Sequence, residues 1–162
     1  MFCVKNIEHE HMDELINLWI ERHVWLKEHN KEMWKLDQLN KESIIEKYEC
    51  PKWYIAYDDT EIVGGFLLIE HDRRYWPDNI NEKAYYIHKF VVRTGCGGKG
   101  YSDKMLEWIK SYGRENGKKF VRLDYEKQRG YLRALYLRQG FEDIEVLTYS
   151  NGNEIVKAEC RI

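Results

Sequence analysis

The stretch VVRTGCGGKGYSDKMLEWI, residues 91–109, constrains this chain more than any other. A β-branched run ends at Val92, and four glycines fall between positions 95 and 100. Met105, Trp108, Ile109 and Tyr112 then recur at helical spacing. A helix start carries N–H groups with no internal partner and roughly +0.5 of charge. Glycines let such a backbone approach a ligand closely and take positive φ. A strand that leaves through glycines into a helix is therefore built for an anion, phosphate above all.

The rest of the pattern fits around that exit. Residues 2–7 read as a strand. From Glu10 to Lys27 the positions Leu15, Leu18, Trp19, Trp25 and Leu26 give a helix. A second helix is expected over about 40–49, with Ile44, Ile45 and Tyr48 inward and Pro51 closing it. Strands at 53–57 and 61–70 form a hairpin through Asp58, Asp59 and Thr60. The polar segment 71–82 is a loop and a plausible substrate edge. Residues 84–92 form a strand, 101–117 a helix, 120–125 a strand, and 129–139 a short helix stopped by Gly140. The strands 141–149 and 154–161 close a second hairpin through SNGN. The order is β α α β β β α β α β β. It predicts an α/β (α+β) fold with a single mixed, mostly antiparallel twisted sheet flanked by helices. With 162 residues the chain is expected to be one domain, 1–162.

Charge narrows the partner. Residues 1–80 hold 10 basic and 17 acidic side chains, and residues 81–162 hold 16 and 11. The basic half contains the glycine exit, which suits a polyanionic ligand, and the acidic half suits a cationic one. The chain is acidic as a whole, with a formal charge of -2, and has no basic arm, which disfavours nucleic acid. Apolar runs such as FLLI at 66–69 are too short for a membrane span, and the start MFCVKNIEHE does not read as a signal peptide. A cytoplasmic protein is expected. The four cysteines are scattered, so neither a zinc site nor a disulfide framework is expected. His9 and His11 have metal-like spacing but read as a solvated helix start, and no metal is expected.

Three phosphate motifs compete for residues 91–102. A P-loop fails, because Gly100 stands where its hydroxyl belongs and Arg93 where its first glycine belongs. A dinucleotide fingerprint is met literally by Gly95, Gly97 and Gly100, with Asp124 at the end of the next strand. Only 38 residues follow Asp124, too few for a doubly wound sheet. The third motif is a pyrophosphate loop for coenzyme A.

The third motif is where the chain resembles a known family. Gly97, Gly98, Lys99, Gly100, Tyr101 and Ser102 follow the strand end at Val92 in the register of Gln/Arg-x-x-Gly-x-Gly/Ala. LYLRQGF, with Tyr136, Gly140 and Phe141, is similar to Tyr-x-x-x-Gly-Phe. Together they resemble the GNAT N-acetyltransferase superfamily over about residues 53–145. The resemblance implies a GNAT-like acyl-CoA N-acyltransferase fold. It implies acetyl transfer from acetyl-CoA, as cosubstrate, to a primary amine of a small molecule or peptide by direct attack. The amides from Gly97 to Ser102 would hold the diphosphate, helped by basic residues such as Lys99, Lys104, Arg129 and Arg133. Phe90, Val91 and Val92 would offer main-chain groups to the pantetheine arm. Tyr136 would protonate the departing thiolate. The family's glutamate base would fall at Tyr86, so His88, on the same strand face, is the candidate base, with Glu70 and Asp124 as alternatives. The expected partners are an amine and, as an option, a second copy in a homodimer; neither nucleic acid nor a membrane is expected. Gly97 in place of Gln/Arg and Tyr86 in place of Glu support an alternative, a CoA- or nucleotide-binding module without chemistry. A Rossmann-like NAD binder is the other alternative.

Overall fold

The computed structural model describes residues 1–79 and 82–162, without the side chain of His9. The metal-like reading of His9, and positions 80 and 81 of the expected loop, lie outside the described residues. Among the described residues there are seven strands and four α-helices. The strands are β1 (Phe2–Ile7), β2 (Lys52–Asp58), β3 (Glu61–Ile69), β4 (Ala84–Val92), β5 (Phe120–Glu126), β6 (Glu142–Thr148) and β7 (Glu154–Arg161). The helices are α1 (Met12–Glu28), α2 (Lys41–Lys47), α3 (Tyr101–Glu115) and α4 (Gly130–Arg138). The sheet runs β1-β2-β3-β4-β5-β7-β6. The pairs β1/β2, β2/β3, β5/β7 and β6/β7 are antiparallel, and β4/β5 is parallel. The expected fold class is therefore met, and a doubly wound parallel sheet for a dinucleotide is not. Among the described residues no helix is long and apolar enough to cross a membrane.

The contacts divide the chain into two compact units, Met1–Ile69 with Lys89–Met105, and Glu70–His88 with Leu106–Ile162. In the first unit α1 buries Leu15, Ile16, Leu18, Trp19 and Leu26, which its 3.6-residue period puts on one face. Trp19 lies 5.4 Å from Trp53 of β2 between ring centroids, and Tyr54 stacks on Phe66 at 5.3 Å. Gly65 of β3 makes this packing possible. A Cβ there would come within 2.5 Å of Leu15 and 2.6 Å of the Tyr54 carbonyl. The expectation for α2 needs correction. The helix ends at Lys47 rather than 49, and Tyr48 is already extended at φ −115° and ψ 135°. Ile44 is buried, but Ile45, one residue and 100° around the helix, is 47% exposed. Trp25 of α1 is half-buried and stacks on His29 at 3.9 Å.

In the second unit Arg122 of β5 is the main polar node. Its guanidinium donates to Glu159 of β7 (2.6 Å), to the Tyr86 hydroxyl of β4 (3.0 Å) and to Glu82. It also lies over the rings of Trp76 and Phe120 at 4.7 and 4.8 Å. A buried guanidinium persists only when its donors are matched in this way. The parallel ladder of β4 with β5 pairs Ala84, Tyr85 and Tyr86 with Phe120, Val121 and Arg122. Among the described residues it reaches Tyr86, although β4 continues to Val92.

Candidate active site

The first unit holds the glycine exit. The backbone leaving β4 is pinned on three sides. Arg93 N donates to Val63 O (2.8 Å), Arg22 of α1 donates to Val92 O (2.6 Å), and Thr94 N donates to the Glu21 carboxylate (3.1 Å). Beyond Cys96, residues 97–99 are exposed. Gly98 and Gly100 take φ of +74° and +77°, a region that costs an L side chain roughly 1–2 kcal/mol. A Cβ added at Gly97, Gly98 or Gly100 would meet nothing within 4 Å. The glycines are therefore required by conformation, and the space before them is open. The helix begins at Tyr101, and Lys104 N bonds to Gly100 O at 3.1 Å. The amides ahead of Lys104 belong to the first turn, whose donors an α-helix does not itself use. Tyr101 fixes that turn through its hydroxyl, 2.8 Å from Asp58, and Lys104 lies over the Tyr101 ring at 5.4 Å.

The strand before the exit carries an irregularity that the sequence does not announce. Lys89 sits within β4 at φ +51°, uncommon for a residue other than glycine. Trp19 Nε1 donates to its carbonyl at 2.8 Å, and its ammonium lies 5.0 Å over Trp34. Phe90 is half-buried, 6.2 Å from Phe66 between ring centroids; Val91 is buried and Val92 half-buried.

The second unit holds the candidate acid and base. His88 is 7% exposed. Its Nε2 lies 2.8 Å from Asp72 Oδ2, and its Nδ1 lies 3.8 Å from Asp124 Oδ1. Tyr75 stacks on the imidazole at 6.3 Å. Tyr136 of α4 is buried between Tyr125 and Phe141, at 5.5 and 5.7 Å. Burial first, and then the charge of Asp124, push the Tyr136 phenol well above its ordinary range. The same two causes, in the same order, raise Tyr75, which also hydrogen-bonds Tyr149. Asp124 is thus the common electrostatic neighbour of the Tyr136 and Tyr75 phenols, and the nearest carboxylate to His88 Nδ1. One atom each from Asp72, His88 and Asp124 lie within 4.8 Å of one another, as in a ligand set for a cation. However, the carboxylates address opposite nitrogens of the ring, and an ion would bind only one of them.

Asp72 is the residue that sequence reasoning missed. Burial alone would raise its carboxyl. The His88 hydrogen bond and charge, with the Tyr75 and Arg74 amides, outweigh burial and hold it below the usual carboxylate range. A depressed carboxyl contributes stability above its unfolded pKa, ~3.9, and that stability is lost as the pH falls through the lower folded value. The midpoint of thermal unfolding of Asp72→Asn is therefore expected to fall less steeply than that of the parent below about pH 4. Melts across that range would check it, and parallel curves would contradict it.

The remaining candidates have partners of their own. Arg129 is buried with its Nε 3.0 Å from Glu126, and Arg133 Nε is 3.0 Å from Asp143. Glu70 pairs with Lys118 at 2.8 Å, and Tyr86 receives Arg122. Lys99 is exposed. Trp53 and Trp76 are buried in the core.

A family model described as the acetyltransferase (GNAT) family matches residues 6–141. The chain is 24% identical over 140 residues to YesJ of Bacillus subtilis, described as an uncharacterized N-acetyltransferase, covering 83% of this chain and 78% of that one. A GNAT-family acetyltransferase of Listeria monocytogenes has a similar fold, with a TM-score of 0.77 at 20% identity, over 99% of this chain and 95% of the other. The spermidine N-acetyltransferase of Vibrio cholerae, solved with CoA and spermine, gives a TM-score of 0.70 at 13% identity, over 99% and 95%.

Proposed function

Since the chain belongs to the GNAT acetyltransferase family, we propose that its 162 residues act as one acetyltransferase domain, moving the acetyl group of acetyl-CoA to a primary amine of a small molecule or peptide. The observation that carries this reading is the pinned strand exit with Gly98 and Gly100 at positive φ and open space before them. The amides from Gly97 to Ser102 bind the diphosphate, with Lys99 adding charge at the rim. Arg129 and Arg133, which already have carboxylate partners, are secondary. Main-chain groups of Phe90, Val91 and Val92 hold the pantetheine arm, and a strand N–H polarises the thioester carbonyl. The Vibrio cholerae neighbour, solved with CoA and spermine, supports an amine acceptor.

The chemistry needs a neutral amine. An amine of pKa ~10.4 is about one part in 2,500 neutral at pH 7, a cost of about 4.6 kcal/mol. Asp124 attracts the ammonium form, and His88 Nδ1 accepts its proton. The amine nitrogen then attacks the carbonyl carbon. As the C–S bond breaks, Tyr136 gives its hydroxyl proton to the thiolate.

Release of free thiol from acetyl-CoA, measured against a panel of amines including polyamines and peptides, tests the reading. Binding of CoA without thiol release on any amine would favour the module without chemistry. Gly98→Val should weaken CoA binding by roughly 5- to 30-fold, the equivalent of a 1–2 kcal/mol left-handed penalty. The folded chain should lose no more than the same 1–2 kcal/mol, because a Cβ at Gly98 would meet nothing within 4 Å and only its φ of +74° is strained. Calorimetry with CoA measures the change, and an unchanged Kd would remove the loop from the site.

A further inference from the structure

Asp72 lies just past β3, 16 residues from His88 in sequence and 2.8 Å from it in space. We propose that Asp72 is a positioning residue for the base: it takes the Nε2 proton of His88 and so fixes the tautomer whose basic nitrogen is Nδ1, on the side of Asp124. The inference rests on the reading of His88 as the base and assigns the atom that does the work.

Asp72 is itself held in place by the main chain. Its Oδ1 accepts the amides of Arg74 and Tyr75, each at 3.2 Å, which leaves Oδ2 turned to the imidazole. The side chain is 5% exposed, so the pair is shielded from water. An ionised carboxylate only accepts hydrogen bonds, so a neutral imidazole against it must carry its proton on Nε2. The lone pair then belongs to Nδ1. Asp72 does remain ionised, since its partners hold its carboxyl below the usual range.

Nδ1 faces Asp124 Oδ1 across 3.8 Å, too far for a direct hydrogen bond. An ammonium nitrogen about 2.9 Å from both atoms would bridge them. In the transfer one ammonium N–H bond breaks and an Nδ1–H bond forms. The resulting imidazolium keeps Nε2–H on Asp72 and later returns the Nδ1 proton to water. Among the described residues, the charged and titratable groups against the ring include Asp72 and Tyr75 from the segment after β3 and Asp124 from β5. Tyr149 stands against Tyr75, and Tyr136 lies within the field of Asp124. Asp72 is the group against Nε2. Without it the ring can hold its proton on Nδ1, where no proton can be accepted.

The test combines nitrogen NMR of intact protein labelled at histidine with a pH profile. The parent is expected to show His88 with Nε2 protonated and Nδ1 bare. Asp72→Asn, nearly the same in size, is expected to lose that signature and to lower kcat at least about tenfold, with the KM for acetyl-CoA unchanged. The acid limb of kcat/KM is expected to differ from the parent's, because the charge against Nε2 has been removed. Nδ1–H in the parent overturns the proposal even if the variant does not fold. A folded variant with the parent's tautomer and acid limb overturns it as well. His88→Gln with an unaltered acid limb overturns the base reading itself, whatever the tautomer of the parent.

Discussion

Tyr136→Phe is expected to lower kcat for acetyl transfer about 100-fold, equivalent to about 2.7 kcal/mol at the transition state. Phenylalanine keeps the ring and its packing against Tyr125 and Phe141, so the melting temperature should hardly move. Only the hydroxyl proton is lost. A thiol with a pKa near 8.5 already leaves fairly well, which puts the effect at the low end for general acids. Burial and Asp124 raise the phenol, so it stays protonated through neutral pH and has a proton to give when the thiolate forms. The KM for acetyl-CoA should be close to that of the parent. Steady-state thiol release measures both constants, and an unchanged kcat removes Tyr136 from the reaction.

The largest effect on stability is expected at Trp19. Its side chain is fully buried, touches Trp53 and donates to the Lys89 carbonyl. Trp19→Ala should cost about 3–5 kcal/mol, a large share of the 5–15 kcal/mol typical of a folded domain. At roughly 2–4 °C per kcal/mol for a chain of this size, the midpoint should fall on the order of 10 °C. Trp19→Phe separates packing from anchoring. It fills most of the space but releases the Lys89 carbonyl, for about 1 kcal/mol. Thermal melts of both variants check this, and a drop under about 2 °C for Trp19→Ala would mean that the pocket closes over the gap.

Much of this was legible along the chain because it depends on local rules. The glycines at 95–100 mark the exit, Gly140 ends α4 at φ +85°, and SNGN turns β6 into β7 with Gly152 at φ +84°. The stripe on α3 was read correctly as a stripe, but Trp108 and Tyr112 are only half-buried and stack on each other at 4.8 Å, with Tyr85 at 5.7 Å from Tyr112. Ile45 failed because a seven-residue helix has one buried face, and Ile44 occupies it. The candidate site was read from its loop and from Tyr136 and His88, whose places follow from strand and helix register. The carboxylate against His88 Nε2 comes from a different segment, and no spacing rule links Asp72 to it. Nor does sequence foretell that Lys89 takes a left-handed backbone, since that depends on an indole 70 residues away in the chain.

Arg122 stands opposite Tyr86 on the last rung that β4 shares with β5, and it holds Glu82 and Glu159 as well. One end of the β4 strand is thereby fastened to its neighbour. Main-chain hydrogens at Ala84, Tyr85 and Tyr86 should exchange with deuterated solvent only when the whole molecule opens. Among the described residues β5 gives the strand no further ladder bonds past that rung, so amides facing that side should exchange faster than those before it, while β3 still holds the other side.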